Sequence, residues 1–98
     1  MQVEYRTNKI RKVCTDASEA SRKYGDDMAE KIQQRISEIE AADSIEQMMR
    51  YHIGGCHKLE GNRKDQYAVY LVHPQRLIFK MNGSKIQIAN IIEIADYH

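Results

Sequence analysis

Two polar clusters stand out among the side chains of this sequence that could move protons. One is the stretch His57-Lys58-Leu59-Glu60-Gly61-Asn62-Arg63-Lys64, and the other is Asp96-Tyr97-His98, which follows a strongly apolar run. Together they suit metal-free cleavage of a phosphodiester. Such a reaction needs a base for the 2′-hydroxyl, an acid for the departing 5′-oxygen, and cations for the charge that builds on phosphoryl oxygens. Histidine serves the first two roles because its ordinary pKa, about 6.5, lies near neutral pH. Arg63 and Arg76 suit the third, since a guanidinium fork matches phosphate oxygens. Tyr97 could stack on a base. The ending Asp96–His98 also reads as a solvated tail with no chemical role. A zinc site is the competing chemistry, through His52, Cys56 and His57. The run His-x-x-x-Cys-His matches no standard ligand spacing, however, and Cys14 falls on a distant helix. No metal or cofactor is therefore expected. His73, beside the only proline, reads as a turn residue.

These clusters need elements to position them. Gln2 to Arg6 alternates and predicts an edge strand with Val3 and Tyr5 on one face. Thr7 can cap a helix, and Ile10, Val13, Cys14, Ala17, Ala20 and Tyr24 follow at helical spacing. Gly25 ends that helix in a left-handed conformation, and Asp26 can cap the next. The second helix carries Ala29, Ile32, Ile36 and Ile39 on one stripe, with Lys31, Arg35 and Glu38 largely facing water. A helical hairpin over 8–23 and 27–41 results, and Ser44 can cap a short helix through Arg50. After Gly54-Gly55 the period falls to two. Tyr67, Val69 and Leu71 alternate with Ala68, Tyr70 and Val72, and Leu77 and Phe79 alternate with Ile78 and Lys80. Pro74 belongs in a turn. Asn82-Gly83 signals a hairpin, followed by a last strand from about Lys85 to Ala95 with Ile86, Ile88, Ile92 and Ile94 on one face. Asn90 interrupts that face, which points to a bulge near it. The fold class is α+β: an N-terminal strand and helical hairpin packed on one face of a small, mainly antiparallel sheet. The opposite face is left to hold a site.

Ninety-eight residues make a single domain, 1–98. The 15 basic and 14 acidic side chains nearly cancel, so overall charge predicts no polyanionic partner. The halves differ: residues 1–49 balance to −2, and residues 50–98 to +3 with all four histidines. That asymmetry gives the C-terminal half a mildly positive surface. Two cysteines do not make a disulfide framework. There is no apolar signal segment and no run near the ~20 residues that span a bilayer, so a cytoplasmic protein without membrane attachment is expected.

The same clusters are where the chain resembles HigB-type toxins of the RelE/ParE superfamily. The family pattern places a Leu two residues after a His, then Gly-Asp-Arg and an aromatic-led strand, matched here by His57, Leu59, Gly61-Asn62-Arg63 and Tyr67. An Arg opening the next strand is matched by Arg76 in Arg76-Leu77-Ile78-Phe79. The family's terminal Asp-Tyr-His is matched in full by Asp96, Tyr97 and His98. The resemblance implies the toxin of a type II toxin–antitoxin system: a ribosome-dependent mRNA endonuclease that inhibits translation. It also implies a HigA-like helix-turn-helix antitoxin bound in a hetero-oligomer. By carry-over, His57 and His98 form the acid–base pair, Asp96 orients or assists, and Tyr97 contacts the RNA. Where the family often has Lys three residues after the His, this chain has Glu60, and Lys58 is expected to supply the missing charge. Two other functions fit the same fold: a ParE-like inhibitor of DNA gyrase, and a non-catalytic RNA- or protein-binding module.

Overall fold

Along β3 (Gln66–Tyr70) and β4 (Gln75–Asn82) the side chains alternate as the period of two requires. Val69, Leu77 and Phe79 are fully buried beneath helices, while Tyr70 and Lys80 are exposed. These strands occupy the middle of a five-stranded sheet in a computed structural model that describes residues 1–83 and 85–96. The sheet order is β1-β5-β4-β3-β2, with β1 at Gln2–Tyr5, β2 at His57–Lys58 and β5 at Ile88–Asp96. β1 runs parallel to β5, and the remaining pairs are antiparallel. The expected α+β architecture, with helices on one face and a mainly antiparallel sheet, is the one observed.

The first predicted helix is two. α1 (Asn8–Thr15) stops at Asp16, whose extended backbone frees its carboxylate to accept from Ser18 N and Glu19 N at 3.0 and 3.3 Å and so start α2 (Ala17–Tyr24). An Asp gains more as an N-cap than inside a helix. Gly25 has φ +90° but ψ 166°, so it is not left-handed helical, and it itself caps α3 (Asp26–Ala41), of which Asp26 is the first residue. Ile32, Ile36 and Ile39 form the buried stripe as expected. Arg35 does not face water. Its side chain is only 13% exposed, and its Nε donates to Tyr70 O at 2.6 Å. Ser44 caps α4 (Ile45–Arg50) as predicted, accepting from Gln47 N at 3.0 Å.

The final hairpin departs from expectation. Asn82 ends β4, and β5 begins only at Ile88, which leaves Ile86 exposed. Gly83 has φ +83°, and a Cβ there would lie 2.2 Å from Ile86 O, so the loop turns on glycine. The bulge falls at Ile92 rather than Asn90: Ile78 pairs with Glu93 and Phe79 with Ile91, which leaves Ile92 as the extra residue. It is therefore Ile91 that is fully buried. Among the described residues no helix is long and apolar enough to cross a membrane.

Candidate active site

The uncovered face of the sheet has a small apolar base. Leu59, Ala68 and Ile78 are buried there with Ala95 packed against them. His57 pairs with Ala68 in register, and Ala68 with Ile78, so the half-buried His57 stands over this base. Its Nδ1 lies 3.0 Å from Gly55 O. A carbonyl oxygen can only accept, so Nδ1 is the donor in this bond, which leaves Nε2 outside it.

One row further along, Tyr70 pairs with Arg76. The Tyr70 ring lies 5.8 Å from the His57 ring, centroid to centroid, and Arg76 Cζ sits 4.8 Å from the Tyr70 centroid. At that distance the guanidinium is attracted by the ring quadrupole. Tyr70 is held from behind by Arg35 on its carbonyl and by Gly55, where a Cβ would fall 2.2 Å from Tyr70 Cδ2. Gly55 thus supplies both the acceptor for His57 and the clearance for Tyr70. Sequence reasoning passed over Tyr70. Its signal was its place in the alternation, an aromatic on the face that no helix would cover.

Arg63 stands on the other side of the His57 row. Its Nη2 donates to Glu93 Oε1 at 2.6 Å and its Nε to Gln66 Oε1 at 2.9 Å, so it bridges from the β2–β3 loop to β5. Glu93 already engages the charge that a phosphate would use. Lys58 does not share the face of His57. It pairs with Tyr67 and lines a groove of about 450 Å³ with Ile45, Met49 and Arg50 of α4. The reason is the strand period: adjacent residues of β2 point to opposite faces. Glu60 lies past the end of β2 and is exposed. Asp96 pairs with Gln75 at the end of β5. β5 is three strand spacings from β2, the strand of His57, about 14 Å sideways at the usual spacing, and Asp96 is also offset along the strands from the His57–Ala68 row. Tyr97 and His98 lie outside the described residues.

The thiols offer no competing chemistry. Burial pushes Cys56 up to about 11 and Cys14 up to about 12, so both remain protonated at neutral pH. Among the described residues no three His, Cys, Asp or Glu side chains converge as a metal site. His73 is exposed in the turn between β3 and β4.

The helix-backed mixed sheet has a RelE/ParE-like toxin fold. The YoeB/ParE toxin from Agrobacterium tumefaciens superposes on it with a TM-score of 0.60 over 100% of both chains, at 15% sequence identity. That likeness establishes the shared fold. No protein-family model and no curated protein matches the chain.

Proposed function

We propose that this protein is the toxin of a type II toxin–antitoxin pair, of HigB type, and that it cleaves mRNA on the ribosome. The observation that carries this reading is the placement of His57, whose Nδ1 lies 3.0 Å from Gly55 O and whose ring lies 5.8 Å from that of Tyr70, over which Arg76 sits. In the reaction, His57 Nε2 takes the 2′-hydroxyl proton and the 2′-oxygen attacks phosphorus. The bond to the 5′-oxygen breaks, and that oxygen takes a proton from His98. The products are a 2′,3′-cyclic phosphate and a 5′-hydroxyl. The imidazolium formed on His57 still donates to Gly55 O, which favours the base role for this residue. Arg76 faces the charge developing on the phosphoryl oxygens, Asp96 assists His98, and Tyr97 contacts the RNA. Arg63 takes part only by exchanging Glu93 for phosphate. A net charge of +1 gives the chain little grip on free RNA, so the ribosome is the partner that orients the message. A HigA-like helix-turn-helix antitoxin in the cytoplasm neutralises it.

Primer extension on cellular mRNA after induction tests the reading. Discrete cuts within reading frames are expected, and His57→Ala should reduce cleavage about 10²- to 10⁴-fold, the usual worth of a positioned base. Loss of residues 96–98 should have a comparable effect in a protein that stays folded. Intact mRNA accompanied by DNA damage would move the assignment to gyrase inhibition.

A further inference from the structure

The break at Asp16 has a second effect, at the opposite edge of the sheet from β2. In one continuous helix, Lys9 and Lys23 would stand about 21 Å apart along the axis. With α2 folded back, both line two adjoining grooves of about 240 and 450 Å³, the second of which also includes Lys12 and Arg22. Residues 1–25 carry 6 basic and 3 acidic side chains, and residues 26–49 carry 2 and 7. The N-terminal half therefore hides a strongly basic helix pair behind its net balance of −2. The two carboxylates at the rim are already engaged, Glu19 with Arg22 and Glu93 with Arg63. Lys9, Lys12 and Lys23 form no ion pair among the described residues.

The walls between these cations are aliphatic. β1 leaves β5 at Ile91, whose carbonyl accepts from Arg6 N at 2.9 Å. Beyond that point the bulged Ile92 and Ile94 face Ile10 and Val13 across the smaller groove. We infer that this groove binds an acidic, aliphatic-bearing peptide segment of a partner protein. Complementarity of charge selects the carboxylates, and the isoleucine and valine walls select apolar side chains between them. Nucleic acid fits less well. Lys23 Nζ lies 5.8 Å over the half-buried Tyr24 ring, occupying the aromatic face on which a base would stack, and the walls between the cations are aliphatic. The inference does not depend on the base role of His57, although the groove meets that site at the Glu93–Arg63 pair.

The test uses the full chain and a synthetic eight-residue peptide of alternating Glu and Val, with an eight-nucleotide oligouridylate as competitor. Saturable, salt-sensitive peptide binding is expected, with hydrogen-exchange protection confined to residues 7–24 and 92–94. Lys9→Glu/Lys12→Glu/Lys23→Glu should weaken it at least about tenfold, since each reversal turns attraction into repulsion, whereas the triple Lys→Arg variant should retain it. Thermal melts check that both variants are folded. No saturable binding, or equal binding by the reversed variant, overturns the proposal. Oligouridylate that binds more tightly and displaces the peptide also overturns it, in favour of a nucleic-acid surface.

Discussion

Consecutive residues of β3 and β4 enter two very different environments. Val69, Leu77 and Phe79 are buried completely under α1–α4, whereas Tyr70 is 46% exposed on the face that bears His57 and Arg76. The covered face is held by volume: its residues are interchangeable in chemistry but not in size. The bare face is held by fixed directions, namely a carbonyl beneath an imidazole, a ring beneath a guanidinium and a glycine that leaves room for both. A residue's contribution to folding and its contribution to chemistry should therefore separate by face.

The largest expected effect is on the covered side. Phe79→Ala should cost about 3–5 kcal/mol, the usual penalty for emptying an aromatic core position, and the proposed toxicity should fall with the folded fraction. In the same urea titrations His57→Ala should change stability by no more than about 1 kcal/mol. A similar loss in both variants would break the distinction between the faces.

High pH separates them next. Cys14 and Tyr5 are each pushed up to about 12, and Cys56 to about 11, in every case chiefly by burial. The folded state thus holds these protons more tightly than the unfolded chain does, for which the model values are 9.0 for the thiols and 10.0 for the phenol. Stability from these groups is complete below about pH 9 and is lost as pH rises through 11 to 12. Denaturation midpoints should fall across that window, and Cys14→Ala should fall less steeply. A wild-type midpoint that stays flat to pH 11 would contradict the burial of both thiols.

Two glycines then sharpen the picture of the bare face. Gly55 has φ +69° and no space for a Cβ beside Tyr70, whereas Gly61 has φ +74° and nothing within 4 Å. Gly61→Ala pays backbone strain alone, about 1 kcal/mol. Gly55→Ala pays that and must also move the Tyr70 ring, for about 1–3 kcal/mol more. Because Arg76 sits over that ring, Gly55→Ala should also slow cleavage about tenfold in protein that remains folded, while Gly61→Ala leaves the rate nearly unchanged. Equal rates in the two variants would show that Tyr70 does not position Arg76.

Much of this was legible in the sequence wherever one local rule acted alone. The α3 stripe, the Ser44 cap and the alternation of β3 and β4 all follow from periodicity or a single side chain. The misses share a cause, a competition that spacing does not reveal. Apolar residues keep helical spacing straight through Asp16, yet the carboxylate there gains more by capping. The isoleucines of β5 satisfy two registers, and only pairing with β4 selects the one that bulges at Ile92. At the site, His57 and Arg76 were visible as residue types, but Tyr70 and Arg35 matter through contacts across 35 residues of sequence. Lys58 was drawn to the site by its closeness to His57 in the chain, although neighbours in a strand point apart.

The smallest effects concern the charges near His57. Glu60 is exposed and forms no ion pair among the described residues, and Arg63, a possible partner, is taken by Glu93. Its uncancelled charge lies past the end of β2, so Glu60→Lys should raise single-turnover cleavage on programmed ribosomes by about two- to fivefold, or ~0.4–1 kcal/mol, as expected for an exposed pair. Lys58→Ala should do less still. The side chain lines the α4 groove beside Tyr67, on the covered side, so its loss should leave the rate within about twofold. A tenfold loss in Lys58→Ala would mean that β2 presents Lys58 rather than His57 to the message. The division between a face for folding and a face for chemistry would then fail at the strand where it matters most.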